Sequence, residues 1–226
     1  MKIIANLEKK TNLLIIVSLF FHLTAAIFSF GSFHPDEHGC ILEYVNTKFS
    51  SDSGPCFQHD RIRSWFQPFV YYIISKILII VNITDPFNWA FFYRLFSSIL
   101  GWSAIILIIK SHTSFFTTRI TKNIFIISIV FFWFYPFLHA RYSTESFSSS
   151  FLLIGISILL YLIQNKPNHK IILLFVAGVF LGCAFASRYQ IGIMILFFLI
   201  WSYTYKKFLF KDLIFIASGI VVLFFF

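Results

Sequence analysis

The sequence predicts an all-α, polytopic membrane protein, and three observations lead there. Of its 226 residues 58% are hydrophobic and only 12% charged, with a mean hydropathy of +0.83, whereas soluble domains average about 25% charged residues. The apolar residues fall in continuous runs of about 15 to 22, the length a membrane-crossing helix needs, broken by short basic connectors. The runs also lack the apolar–polar alternation of barrel strands, and in lipid only helices or closed barrels satisfy every backbone polar group.

Taken in order, Lys2, Lys9 and Lys10 precede an apolar run from Leu13 to Phe30. That run is too long for a signal peptide and has no small-x-small cleavage site, so it reads as a retained signal anchor with a cytoplasmic N-terminus. His22 lies within it and is expected to bond a neighbouring helix as a neutral imidazole. Residues 31–65 form the longest polar segment, and Ile41–Val45 inside it reads as a short amphipathic helix at the membrane surface. Phe66–Ile83 follows and ends before Thr84-Asp85-Pro86, where proline disfavours helix at the preceding residue. Further runs cover Asn88–Ile109, Asn123–Leu138, Phe147–Gln164, Ile171–Ala186, Ile191–Tyr205 and Asp212–Phe226.

Charge decides which run fails to cross. Basic connectors tend to stay on the cytoplasmic side. If every run crossed, Lys110, Arg119 and Lys122 would lie outside. If Phe66–Ile83 does not cross, they join the N-terminal lysines, Lys166–Lys170 and Lys206–Lys211 on the inner face. Pro68 near the start of that run and Lys76 near its centre also suit a juxtamembrane or re-entrant helix. The expectation is one transmembrane domain over residues 1–226, with about seven spanning helices and an extra outer-side helix at 66–83. The last run is short for a span and ends on Phe224-Phe225-Phe226 without a polar cap, so the expected whole is a longer chain.

The net charge of +9 follows from this inner-face bias. No water-exposed basic stretch is interleaved with aromatic residues, which argues against nucleic acid as a partner. Three cysteines make no disulfide framework. Cys40 and Cys56 flank one loop and can bridge only in an oxidising compartment, while Cys183 reads as packing. No His/Cys spacing of a metal site occurs. His34 and His38 flank two acids, which is too few ligands to specify a metal.

Chemistry concentrates on the outer face. Only nine residues are acidic, yet Asp36 and Glu37 stand together at the mouth of the first helix, where a carboxylate is costly unless it is solvated or used. The same topology brings His139–Ser146, Arg188-Tyr189-Gln190 and Arg94 to that face. Arginine clamps phosphate bidentately and a carboxylate can take a proton from a hydroxyl. Together they suit sugar transfer from a lipid phosphate to an alcohol: phosphate leaves with little acid assistance, and arginine stabilises the charge that develops on it. Plainer readings stand beside this one. Arg94 can snorkel to headgroups, Arg141 and Glu145 can form an i, i+4 pair, and Arg61 and Arg63 can be loop charges. Arg188, bracketed by apolar runs, calls for an anionic partner. A transporter is the rival class, but it predicts charges spread through the midplane and repeated halves, which the sequence does not display.

The motifs Phe33-His34-Pro35-Asp36-Glu37-His38, Ile41-Leu42-Glu43-Tyr44 and Ile62-Arg63-Ser64 with Gln67-Pro68 resemble the GPI-anchor-type mannosyltransferases of glycosyltransferase family 22. Arg141-Tyr142-Ser143-Thr144-Glu145 looks like that family's Arg-Thr-x-Ser-x-x-Glu region, and Ala186-Ser187-Arg188-Tyr189-Gln190 like its later arginine motif in a bacterial form. The resemblance implies a GT-C-like bundle whose outer loop bears the acidic motif. It further implies an inverting mannosyl or other hexosyl transferase, fed by a polyprenyl-phosphate sugar and acting on a glycan or glycolipid acceptor. Neither cofactor nor metal is expected. Asp36 and Glu37 are then the candidate catalytic residues, Asp36 as the base, and His34, Arg63, Arg141, Glu145 and Arg188 are the candidate substrate-binding residues. A bacterial plasma membrane is the expected location, or the endoplasmic reticulum in a eukaryote. An inactive, truncated relative is the remaining alternative.

Overall fold

A computed structural model of the chain describes residues 2–31, 36–49, 65–112, 115–165 and 167–223, and at positions 2–10, 36, 38 and 40 it describes the backbone. Every regular element among these residues is helical. Helix α1 covers Lys2–Phe28. A π-helix, Asp36–Glu43, then runs directly into a single α-turn, α2, Tyr44–Asn46. Next come α3 Phe66–Ile80, α4 Pro86–His112, α5 Arg119–Phe131 and α6 Phe134–His139. The chain continues through α7 Thr144–Gln164, α8 Lys170–Ser187, α9 Ile191–Thr204 and α10 Phe210–Val222.

Local chemistry sets several boundaries. Pro86 opens α4 where its missing N–H is no loss, and the Asp85 carboxylate accepts from Phe87 N–H at 3.0 Å. Ser143 caps α7 by accepting from Ser146 N–H at 3.3 Å. Thr118 does the same for α5 through Thr121 N–H at 3.2 Å. The apolar run Asn123–Leu138, expected as one helix, is split between α5 and α6. Pro136 is the cause: its ring collides with the carbonyl four residues back, and Phe132 turns extended there, with ψ 99°.

Side-chain contacts fix the helix directions. α1 and α4 are antiparallel, since Ser98 Oγ donates to His22 O at 2.7 Å and Trp102 Nε1 to Ile15 O at 3.2 Å. α4 and α7 run parallel, with Phe96 against Phe147 near the start of α7 and Gln164 Nε2 donating to Ser111 O at its end. α8 returns antiparallel to α7, stacking Phe180 on Phe151. α10 lies parallel to α8, from the Lys170–Asp212 ion pair up to Gly182 beside Ile220. One core, with Leu159, Leu174, Leu181 and Ile216, fills the space among α7, α8 and α10. A second, around Tyr71, Trp89, Tyr93, Tyr142 and Phe147, lies among α3, α4 and the start of α7.

Helix α3 is antiparallel to the first half of α4 alone. Tyr71 meets Ser97, Ser75 meets Tyr93, and Trp89 Nε1 donates to Ile83 O. Both of its ends therefore lie level with the first four turns of α4. Lys76 points away from the bundle, its ammonium over the Tyr72 ring at 5.1 Å. Ile41, Leu42 and Val45 are buried in the second core, so the apolar side of this segment packs against the bundle.

Among the described residues, four helices are long and apolar enough to cross a membrane: Thr11–Phe28, Pro86–His112, Thr144–Gln164 and Lys170–Ser187; Phe66–Ile80 and Ile191–Thr204 are apolar but shorter. The protein is thus an all-α membrane protein. One end of the bundle carries His112, Lys170 and Asp212, and the other carries Gly31, Pro86, Arg141 and Arg188.

Candidate functional site

The densest charge at the second end gathers where the π-helix, α4 and the 140–143 turn converge. Eight successive residues in π-helical form are rare and cluster at functional positions; here they carry the acidic motif. Asp36 is the first residue of that segment and Glu37 the second. Glu37 has no exposure, and its Oε2 lies 3.7 Å from Arg141 Nη1. Arg141 is itself 8% exposed. Its Nη1 donates to Gly31 O at 3.1 Å, which ties the turn before α7 to the end of α1, and its guanidinium lies 5.1 Å from the centroid of the Phe137 ring.

A second arginine enters from α4. Arg94 is 9% exposed and interacts electrostatically with Tyr142, Arg141 and Glu37. Among the described residues its Nε has no hydrogen-bond partner. Sixteen residues separate Arg94 from Lys110, about 24 Å of helix at 1.5 Å per residue. With Lys110 at one headgroup boundary, Arg94 stops just short of the other. A snorkelling arginine would point its tip to water, whereas this one turns into the protein. The two guanidiniums thus converge on the Glu37 carboxylate, Arg141 in direct contact and Arg94 through its electrostatic interaction. Burial, and after it the Glu37 carboxylate, push the Tyr142 hydroxyl up to about 12, against the pull of Arg94 and Arg141. Tyr142 is a neutral phenol beside the cluster.

Aromatic and polar contacts beneath hold these groups still. Gln67, at 1% exposure, donates through Nε2 to Tyr142 O at 2.9 Å. Tyr71 and Tyr93 pack with ring centroids 4.5 Å apart, and Tyr142 stands edge-on to both. Each fully buried phenol finds a serine, Tyr71 with Ser97 at 2.7 Å and Tyr93 with Ser75.

Glu145 and Arg188 form a separate, shallower ion pair at the same end, with side-chain exposures of 47% and 33%. Arg188 Nε also donates to Gln190 Oε1 at 2.6 Å. Arg141 and Glu145 are therefore not partners: α7 begins at Thr144, so Arg141 lies outside the helix that an i, i+4 pair requires. The structure unites Glu37 with Arg141, and Glu145 with Arg188. The Asp36 side chain, His34, Arg63 and the Cys40–Cys56 pairing lie outside the described residues. No group of three or more His, Cys, Asp or Glu suited to a metal occurs among the described residues.

Sequence reasoning grouped His139 with the outer polar stretch, and the structure turns it inward. His139 is 4% exposed and its Nδ1 lies 3.0 Å from His22 Nε2, deep between α1, α4 and α6. Because His22 Nδ1 lies 2.8 Å from Ser18 O, and a carbonyl can only accept, His22 carries its proton there. His139 Nδ1–H is then the donor to His22 Nε2. Gly101 makes the room, since a Cβ there would fall 2.2 Å from His139 Cγ. Arg94 is the site residue that the site assignment left out, although a lone arginine inside the apolar run Asn88–Ile109 was its signal. No family model, curated protein or solved structure matches the chain.

Proposed function

We propose that the chain is a membrane glycosyltransferase of GT-C-like fold, moving a mannosyl or other hexosyl residue from a polyprenyl-phosphate donor to a hydroxyl of a glycan or lipid-linked acceptor. The observation that carries this reading is the buried Arg94–Arg141–Glu37 cluster under the π-helix that opens on Asp36. Two guanidiniums brought together at the membrane end of the bundle match the oxygens of a phosphate.

In this reading Asp36 takes the proton of the acceptor hydroxyl, whose oxygen attacks the anomeric carbon. The bond from that carbon to the phosphate oxygen breaks with inversion, and the departing lipid phosphate keeps the electron pair. Arg94 and Arg141 stabilise the charge that accumulates on it. Glu37 serves as a positioning residue: fully buried beside Arg141, it fixes the guanidinium and has no room to accept a proton from an acceptor. Glu145 and Arg188, half-exposed, shape the entrance, and Arg188 offers a further contact to the donor. His34 and Arg63 remain candidate contacts to substrate. The outer face of a bacterial plasma membrane is the proposed place of action.

The test is transfer by membranes containing the chain. With a radiolabelled polyprenyl-phosphate mannose, label should pass to a glycan or glycolipid fraction, and a nucleotide-linked mannose should give none once polyprenyl-phosphate mannose synthesis is blocked. Transfer from the nucleotide sugar alone, or donor binding without turnover, would discard the proposal, the second result pointing to an inactive relative.

A further inference from the structure

At the end opposite the arginine cluster, α8 and α10 begin side by side and run in the same direction. Glycine makes this possible. A Cβ on Gly178 would fall 2.2 Å from Ile216 O, one on Gly219 2.3 Å from Phe175 O, and one on Gly182 3.0 Å from Ile220 O. Gly178 and Gly182, four residues apart, and Gly219 thus let the two backbones touch, as small residues do between membrane helices. Antiparallel neighbours would cancel their dipoles. Two parallel helices in contact instead add about half a positive charge each at the same end.

A cavity of about 470 Å³ opens between these two N-termini. Its polar wall is formed by Asn168, His169, Lys170, Lys211 and Asp212. The single carboxylate there is already engaged: Asp212 Oδ2 accepts from Lys170 Nζ at 2.6 Å and from Leu209 N–H at 3.0 Å. Lys170 and Asp212 cancel, which leaves Lys211 and the two helix ends as the positive charge of the cavity. His169 makes no capping hydrogen bond to the first turn of α8. The remaining wall is apolar, of Ile171, Ile172 and Phe215. Ile171 and Ile172 are 51% and 60% exposed, continuous with the outer apolar surface of the bundle.

A cationic recess beside an apolar wall, at the end of membrane-crossing helices, fits a ligand with a phosphate head and hydrocarbon tails. We propose that this cavity binds the headgroup phosphate of an anionic phospholipid, with Lys211 as the principal charge contact and the acyl chains against Ile171 and Ile172. Basic pockets between transmembrane helices recognise acidic lipids in this way. The site is remote from the arginine cluster, so its occupancy is independent of the glycosyl-transfer proposal.

The full chain in neutral detergent, titrated with dioleoyl phosphatidylglycerol and observed by native mass spectrometry, tests this. The phosphatidylglycerol adduct should exceed that of phosphatidylcholine with the same chains by roughly fivefold, the effect of one lysine near a lipid phosphate. Lys211→Gln should remove the preference, and Lys211→Arg should keep it. Lys207→Gln, which deletes a charge from the adjoining loop without touching the cavity, should leave it intact. Equal losses in Lys211→Gln and Lys207→Gln would reduce the effect to bulk charge and overturn the site. Loss of the preference in Lys211→Arg, equal adducts with both lipids, or displacement of phosphatidylglycerol by millimolar inorganic phosphate would overturn it as well, the last by assigning the cavity to free anions.

Discussion

Arg141 and Glu37 meet 3.7 Å apart at the end of the bundle, one 8% exposed and the other not exposed at all. The pair joins the second residue of the π-helix to the turn before α7, so the acidic motif is held by a charge 104 positions away in sequence (141 minus 37). Arg94 adds a second guanidinium from α4. Removing one partner of a buried pair leaves the other charge without compensation, at a cost of about 3 kcal/mol. Glu37→Gln should therefore lower thermal stability in detergent strongly. Glu37→Leu combined with Arg141→Met should lose less than the sum of the two single changes. A Glu37→Gln protein that melts like the parent would remove the pair from the account.

The outer pair behaves differently. Glu145 and Arg188 are 47% and 33% exposed, and ion pairs in that environment contribute about 0.5 kcal/mol or less. Glu145→Gln should leave the melting temperature nearly unchanged. If the pair shapes the donor entrance, KM for the lipid-linked sugar should rise several-fold with kcat little altered. Unchanged KM would make the pair a surface contact alone.

Backbone contact between α8 and α10 can be tested without any ligand. A methyl group at Gly219 would lie 2.3 Å from Phe175 O and 2.8 Å from Val179 N. Neither is a side chain that can swing aside. Gly219→Ala should destabilise by about 1–3 kcal/mol, the usual cost of overpacking, read as a lower melting temperature in detergent. A neutral result would mean that the two helices sit further apart.

Topology has its own measurement. His112 closes α4 at the basic end, and Ser143 caps α7 at the end that bears Arg141. In a background without native cysteines, Ser143→Cys should react with an impermeant thiol reagent added from outside, and His112→Cys only after permeabilisation. Reaction of the cysteine at 112 from outside would invert the bundle in the membrane and place the arginine cluster on the cytoplasmic side.

Much of this arrangement is legible in the sequence because hydrophobic runs and lysine positions are additive, local signals. Four long apolar helices, the basic end and the polar end all follow from them. The Asn123–Leu138 run reads as one helix because hydropathy does not register the steric effect of Pro136 on Phe132. His139 reads as outward from its polar neighbourhood, Arg141 to Ser146, which says nothing about which side a single ring takes. Its place is set by Gly101 and His22, on two other helices. Gly178 and Gly182 meet Gly219, which is 37 residues further on (219 minus 182), a pairing that emerges only in three dimensions. The pairing of Arg141 with Glu37 is of the same kind: composition supplied the charges, and the tertiary fold chose the partners.

Asp36 carries the central claim, and the most direct measurement is the transfer rate of Asp36→Asn membranes against parent membranes at equal protein abundance, with labelled polyprenyl-phosphate mannose as donor. Loss of a general base lowers turnover by about 100-fold or more, and the account predicts that loss with stability unchanged. Parent-level transfer by Asp36→Asn would contradict it.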